Sequence, residues 1–166
     1  IRLSRLLAVL LHQILKTHMN KFEQLGLSES LQRAIIDLGF ENPTEVQEKA
    51  IPLLLEKDTD LVALAQTGTG KTAAFGFPLI HKIDADNRNT QALILSPTRE
   101  LCLQITNELK NYSKYEKGIN VVAVYGGASI TEQARDIKRG AQIIVATPGR
   151  MQDMINRGLV NISQIN

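Results

Sequence analysis

The fold is decided by the stretch Ala65–Thr72, which reads AQTGTGKT. The apolar run Leu61–Ala65 leads into its glycines, and an apolar helical pattern leaves it from Lys71 onward. A short apolar run that turns through glycines into a helix is typical of the first strand and helix of a parallel α/β unit. The sequence therefore predicts a strand over Leu61–Ala65 and a helix that begins near Gly70.

Further downstream, short apolar runs alternate with longer helical patterns. Strands this apolar, separated by helices, imply right-handed crossover connections and a parallel sheet that is covered on both faces. We therefore expect one α/β domain of three layers, with helices on either side of the sheet. The remaining predicted strands are Ala92–Leu95, Val121–Tyr125 and Ile143–Ala146, and the helices between them are predicted to begin near Arg99, Ile130 and Gly149.

Upstream of the glycines, the pattern predicts two more helices. The first runs from Ser28 to Leu38, with Ser28 as its N-cap and Gly39 at its end. The second follows Pro43, where the sequence TEVQ over Thr44–Gln47 matches a capping box.

Composition limits the class of protein. The 166 residues are 43% hydrophobic and 22% charged, which is typical of one globular domain and not of a disordered chain. No run of about 18 apolar residues occurs, so we expect no transmembrane helix and no stable membrane association. The single cysteine, Cys102, excludes an internal disulfide and a cysteine-based metal cluster. It favours a reducing compartment such as the cytoplasm, and a small side chain buried in a helix.

The net charge of +2 is unevenly distributed. Residues 1–18 hold three basic side chains and no acidic one, whereas residues 19–166 hold 16 basic and 17 acidic side chains. Nucleic-acid contacts of the main body must therefore come from local patches and backbone amides. We divide the chain into a basic amphipathic extension, residues 1–18, and a domain, residues 19–166. The extension is a targeting, membrane-surface or partner-binding helix, or it precedes a natural start at Met19.

The glycine-rich stretch predicts a phosphate site. Glycines allow successive amide N–H groups to surround an anion, and the start of a helix adds the positive end of its dipole. Lys71 would reach the β- and γ-phosphates, and Thr72 would offer its hydroxyl to Mg²⁺. Ala65 stands where the P-loop pattern has its first glycine. We expect a nucleoside di- or triphosphate here; the alternative is a flexible turn whose lysine points into solvent.

A P-loop alone leaves kinases, GTPases, transporter ATPases and helicases open. Residues 39–47 (GFENPTEVQ), with Phe22 upstream, resemble the Q motif of the DEAD-box ATP-dependent RNA helicases, and the resemblance extends from about Phe22 to the end of the chain. It implies that Gln47 hydrogen-bonds the adenine edge of ATP and that Phe22 stacks on the ring. The residues alone leave open that Gln47 only closes the capping box while Phe22 fills the core.

Three later segments resemble further motifs of the same family: Pro97–Leu101 (PTREL), Gly126–Gly127 and Thr147–Arg150 (TPGR). The resemblance implies that these loops hold the sugar–phosphate backbone of single-stranded RNA. Each follows a predicted strand and opens a helix, where free amides can hold phosphate oxygens while Arg99 and Arg150 supply charge. Contacts of this kind predict little sequence preference.

The chain also departs from the family pattern. It holds no Asp-Glu-Ala-Asp sequence, no Ser-Ala-Thr motif and no second RecA-like domain with its arginine finger, and it stops at Asn166, where the Asp-Glu-Ala-Asp strand would open. In the family, those acids hold Mg²⁺ and position the attacking water. We therefore expect these 166 residues to bind ATP without hydrolysing it, and the sheet to be incomplete on its C-terminal side.

Taken together, the sequence predicts a parallel-sheet P-loop NTPase domain of the RecA-like type. It would be the ATP- and RNA-binding part of an ATP-dependent RNA helicase that remodels RNA. A non-catalytic nucleotide- or RNA-binding module and a small-molecule P-loop kinase stay open as alternatives. The expected catalytic residues are Lys71 and Thr72, with Thr72 also the Mg²⁺ ligand. The expected ATP site is Phe22, Phe40, Thr44, Gln47, Gln66, Thr67, Gly68, Thr69, Gly70, Lys71 and Thr72, and the expected RNA site is Pro97, Thr98, Arg99, Glu100, Gly126, Gly127, Thr147, Pro148, Gly149 and Arg150.

Overall fold

The computed structural model describes residues 21–165, so the predictions for residues 1–18 lie outside the described residues. Within this range, every helix is too short or too polar to cross a bilayer. A 3₁₀ helix, Lys21–Leu25, comes first. The elements that follow are α1 (Glu29–Asp37), α2 (Glu45–Glu56), α3 (Lys71–Lys82), β1 (Ala92–Leu95), α4 (Arg99–Tyr112), β2 (Val121–Val124), α5 (Ile130–Lys138), β3 (Ile143–Ala146) and α6 (Pro148–Asn156).

The three strands form one parallel sheet in the order β1–β3–β2, which confirms the predicted sheet type. Ala146, at the carboxyl end of β3, pairs with Leu95 of β1 on one side and with Val124 of β2 on the other. The strands therefore end level with one another. As a result, the loops that follow them meet at a single edge of the sheet.

Each face of the sheet carries its own hydrophobic core. Ile143 and Val145 of β3 join a cluster with side chains from α1, α2, α3 and α4. Ile144 and Ala146 belong to a second cluster, which α5 and α6 cover. This alternation is expected because successive side chains of a strand point to opposite faces. The predicted three-layer α/β arrangement is confirmed.

Side chains that precede the helices determine where several of them begin. Ser28 Oγ accepts a hydrogen bond from the backbone nitrogen of Leu31 at 3.4 Å, so the predicted N-cap of α1 is confirmed. Gly39 follows the end of α1 with a φ of +77°, a backbone conformation that glycine adopts without steric cost. The capping box predicted over Thr44–Gln47 opens α2.

The strand predicted over Leu61–Ala65 is wrong. These residues form neither a strand nor a helix, and Val62 and Leu64 are 89% and 95% exposed. A strand needs a hydrogen-bonded neighbour. The sheet of the described residues ends at β1, and no described strand lies beside this segment. The apolar run therefore remains unpaired in the described part of the chain, with most of its side chains exposed. β2 also ends one residue before the predicted Tyr125, whose carbonyl accepts a bond from a helix side chain.

Cys102 is fully buried on α4, as predicted. Its Sγ donates to the backbone oxygen of Val145 at 3.2 Å. Burial raises the pKa of the thiol, so the reactive thiolate is disfavoured.

Candidate functional site

The glycine-rich loop, residues 66–70, enters α3 through two left-handed glycines. Gly68 has a φ of +79° and Gly70 a φ of +78°, a region that residues with a side chain rarely adopt. Gly70 is also the N-cap of α3, and a Cβ atom at Gly70 would collide with the amide nitrogen of Gln47. Backbone geometry and a close side-chain approach therefore both require glycine at position 70.

Lys71, the first residue of α3, lies across the loop and does not simply point into solvent. Its Nζ donates to the backbone oxygen of Ala65 at 2.5 Å, and Thr69 Oγ1 donates to the backbone oxygen of Gln66 at 2.8 Å. A carbonyl is a neutral acceptor, so an anion at the start of α3 offers this ammonium a stronger, charge-assisted partner. An anion at the start of α3 would therefore compete with the carbonyl of Ala65 for this ammonium.

Gln47 joins α2 to the loop. Its side chain is 1% exposed; Oε1 accepts from the backbone nitrogen of Thr44 at 3.0 Å, and Nε2 donates to the backbone oxygen of Gly70 at 3.1 Å. Thr44 Oγ1 donates to the backbone oxygen of Thr69 at 2.8 Å. The capping role is confirmed, but both amide atoms that adenine would use are already engaged. Each atom can form one more hydrogen bond: Nε2 has a second N–H to donate, and Oε1 has a second lone pair to accept.

Phe22 lies in the core. It is fully buried, and its ring packs edge-on against Phe40 and Phe77, with centroids 6.0 Å apart in each pair. This is the core-filling alternative. Stacking on adenine would require the ring to leave this cluster, so that role stays a prediction.

Thr72, the second residue of α3, is the expected Mg²⁺ ligand. Its hydroxyl is an oxygen donor of the kind that Mg²⁺ accepts, and phosphate oxygens and water would supply the other ligands. In residues 21–165, no group of three or more His, Cys, Asp or Glu could hold a metal ion.

The three loops with the predicted RNA residues come together at the carboxyl edge of the sheet. The backbone nitrogen of Ser96 donates to the oxygen of Ala146 at 2.8 Å, and that of Thr147 donates to the oxygen of Val124 at 2.9 Å. These bonds link the loop after β1 to the end of β3, and the loop after β3 to the end of β2. Pro97, Thr98, Glu100, Pro148 and Gly149 are exposed at the starts of α4 and α6, while Thr147 is half-buried.

Arg99 is exposed and lies beside the loop that contains the two glycines. Its guanidinium carbon is 4.9 Å from the centroid of the Tyr125 ring, a cation–π contact. Gly127 has a φ of +82°, and a Cβ there would lie 3.7 Å from Arg99 Nη1. The loop and the arginine therefore form one surface.

Arg150 is directed toward the protein and not away from it. Its Nη1 donates to the backbone oxygen of Ala128 at 3.0 Å and to Gln133 Oε1 at 3.1 Å. Gln133, on α5, donates from Nε2 to the backbone oxygen of Tyr125 at 3.1 Å. Neither Gln133 nor Tyr125 was predicted as a site residue, because a glutamine one helical turn into α5 resembles an ordinary polar position and Tyr125 was predicted as the end of a strand. The burial of Gln133, 7% exposed, is the signal that only the structure supplies.

Comparison with known proteins gives the family. The family model "DEAD/DEAH box helicase" matches residues 44–166. The chain is 51% identical over 147 residues to the ATP-dependent RNA helicase CshA of Listeria monocytogenes, covering 89% of this chain and 28% of that protein. It is 48% identical over 149 residues to the RNA helicase CrhR of Synechocystis, covering 90% of this chain and 30% of that protein. The chain thus spans less than a third of the length of these relatives.

Solved structures agree in fold. A DEAD box protein from the hyperthermophile Methanococcus jannaschii superposes with a TM-score of 0.83 at 43% identity, covering 87% of this chain and 39% of that one. S. cerevisiae Dbp5 bound to RNA and ADP BeF3 superposes with a TM-score of 0.78 at 32% identity, covering 87% of this chain and 36% of that one. The chain therefore belongs to the DEAD/DEAH box helicase family and has the parallel α/β fold of that family's RecA-like domain.

Proposed function

We propose that this chain is the ATP- and RNA-binding part of an ATP-dependent RNA helicase. The observation that carries the proposal is the loop before α3. Two left-handed glycines and the ammonium of Lys71 surround the start of a helix there. The start of a helix with free amides and an adjacent cation is a site for phosphate groups.

In the proposed complex, the β- and γ-phosphates lie at the start of α3. The ammonium of Lys71 exchanges the carbonyl of Ala65 for phosphate oxygens, and backbone amides of residues 68–72 donate to the same oxygens. Thr72 offers its hydroxyl to the metal. Mg²⁺, when bound, supplies a divalent charge that neutralises the phosphate oxygens.

Gln47 would read the adenine edge with its remaining N–H and lone pair, which requires the base to reach a side chain that is 1% exposed. The same side-chain amide donates to the backbone oxygen of Gly70 in the phosphate loop. The residue that binds the base is therefore hydrogen-bonded to the loop that binds the phosphates. The ring of Phe22 stays in the core unless binding moves it.

The carboxyl edge of the sheet holds RNA through its backbone. Arg99 presents an exposed guanidinium beside the Gly126–Gly127 loop, and exposed residues lie at the starts of α4 and α6. Arg150 supports this surface from inside, since its Nη1 is bonded to Ala128 and Gln133. Such contacts read phosphates and sugars, so they select single-stranded RNA with little preference for sequence.

In the whole protein, ATP would lie between two RecA-like domains, and their closure around ATP and RNA would bend and locally unwind a duplex. We propose that the 166 residues alone do not turn over ATP, because the sequence holds no Asp-Glu-Ala-Asp acids to place the metal and the water. The single buried cysteine agrees with a place in the cytoplasm.

Calorimetric titration with ATP and Mg²⁺ tests the proposal. Lys71→Ala removes a charge-assisted bond to phosphate and should raise Kd at least about tenfold. Lys82→Ala is the matched control, since it removes an exposed lysine, ion-paired with Asp58 at 3.0 Å, from the other end of α3. Equal ATP affinity in the wild type and Lys71→Ala would contradict the proposal. Binding of ATP without any binding of RNA would favour the kinase alternative.

A further inference from the structure

We propose that Gln133 is a positioning residue, which fixes the Gly126–Gly127 loop and, through that loop, Arg99. The inference rests on the proposed RNA-binding function and adds a residue to which that function assigns no role. Gln133 is nearly buried on α5 and is not expected to contact RNA itself.

One hydrogen-bond network holds both ends of the loop. Gln133 Nε2 donates to the backbone oxygen of Tyr125, just before the glycine pair, at 3.1 Å. Gln133 Oε1 accepts from Arg150 Nη1 at 3.1 Å, and the same nitrogen donates to the backbone oxygen of Ala128, just after the pair, at 3.0 Å. The carbonyl before the glycines is therefore bonded to Gln133 directly, and the carbonyl after them is bonded to Arg150, which Gln133 holds in place.

The glycine pair needs such anchors. Gly127 is left-handed, and a Cβ built at Gly126 meets nothing within 4 Å, so no packing on that side restrains the loop. Glycine loses more conformational freedom on ordering than any other residue. A loop that is already fixed binds RNA without first being ordered.

The network extends to Arg99 through Tyr125. The backbone of Tyr125 is held by Gln133, and its ring lies 4.9 Å from the guanidinium carbon of Arg99. Gly127 approaches the same guanidinium from the loop. Gln133 therefore determines where the exposed charge of Arg99 meets a phosphate.

The test uses Gln133→Met, which keeps the length of the side chain and removes both hydrogen bonds. Binding of a short fluorescein-labelled oligouridine to the 166-residue chain is followed by fluorescence anisotropy over a series of salt concentrations. We expect Kd to rise about tenfold. The slope of log affinity against log salt should fall by about 0.7, which corresponds to one phosphate contact on a single strand. Arg99→Ala should lower the slope equally, and the double variant should lower it no further.

Two variants separate positioning from a general loss of stability. Gln142→Met removes another buried glutamine, whose Oε1 accepts from the backbone nitrogen of Asn120 at 3.0 Å at the amino end of the sheet. It should lower the melting temperature and leave RNA affinity and salt slope unchanged. Gln133→Glu keeps an acceptor for Arg150 but opposes the carbonyl of Tyr125, so it should weaken RNA binding in a folded protein. If Gln133→Met does not fold, the RNA affinity of Gln133→Glu tests the positioning role in its place.

Wild-type affinity and slope in the folded Gln133 variants would overturn the inference, as would an equal loss of RNA binding in Gln142→Met. If Arg99→Ala weakens binding while the Gln133 variants do not, the positioning role alone fails. If the wild type does not bind oligouridine, the proposed RNA-binding function fails, and the inference fails with it.

Discussion

Gln47 should support the phosphate loop as well as read a base. Its Nε2 bonds the backbone oxygen of Gly70, and Oε1 closes the capping box of α2. Replacing it by methionine, Gln47→Met, keeps the length of the side chain and removes both bonds. The variant should therefore weaken the binding of any ligand that carries a phosphate chain, with or without adenine.

The size of the effect follows from the bonds lost. A hydrogen bond contributes about 0.5–1.5 kcal/mol net, so losing the bond to Gly70 should raise Kd for inorganic triphosphate about fivefold. ATP loses the bonds from adenine to the remaining N–H and lone pair as well, so its Kd should rise by more than about twenty-five-fold. Loss of the capping bond should lower the free energy of unfolding by about 1 kcal/mol.

Isothermal titration calorimetry with ATP and with inorganic triphosphate measures both effects. Gln142→Met, which removes a buried glutamine bonded to the backbone of Asn120, is the matched control and should bind both ligands like the wild type. If triphosphate affinity is unchanged in Gln47→Met while ATP affinity falls, Gln47 reads the base only, and its support of the loop is refuted.

Three further predictions concern other parts of the chain. Gly70→Ala places a side chain at a φ of +78° and against a buried amide; it should cost at least about 1–2 kcal/mol in stability and weaken nucleotide binding, and a wild-type melting curve would contradict this. The hydroxyl of Tyr115 and the ammonium of Lys114 hold the pKa of Asp37 below its usual value. These two partners therefore stabilise the folded protein above the pKa that Asp37 has in the unfolded state, and the stabilisation is lost as pH falls through the lower pKa of Asp37 in the folded state. Asp37→Asn should therefore lower the melting temperature near neutral pH and not in strong acid, and an equal loss at both would exclude the ion pair as the cause. Cys102 should react with a thiol reagent only on unfolding, because it is buried and its pKa is raised; rapid labelling of the native chain would show that α4 opens.

Local signals made much of the fold predictable. The start of α1 follows from the predicted N-cap Ser28, and the structure shows Thr98 and Ser129 in the same role before α4 and α5, each three residues from the amide it binds. The strands of the sheet follow from runs of four apolar residues. Such features depend on neighbours in sequence and can therefore be read without the tertiary structure.

The features that were not predicted depend on hydrogen-bond partners that are distant in sequence. The run Leu61–Ala65 has strand composition, but a strand needs a neighbour, and composition does not show whether one is present. The inward direction of Arg150 depends on Ala128 and Gln133, which precede it by 22 and 17 residues. The bond from Gln47 to Gly70 spans 23 residues. The sequence pattern predicts that these residues lie near a site, but it contains no information on which of their atoms are already hydrogen-bonded.

The open segment before the phosphate loop has a thermodynamic consequence. In the described part of the chain, residues 61–65 pair with no strand, so their amide hydrogens should exchange with solvent far faster than those inside α3. On this side the loop is held by side-chain bonds to the carbonyls of Ala65 and Gln66 and not by a strand. Any ligand that immobilises this segment loses about 1–2 kcal/mol of affinity for each residue it orders. A β-strand added alongside would remove that entropic penalty and tighten binding without touching the ligand.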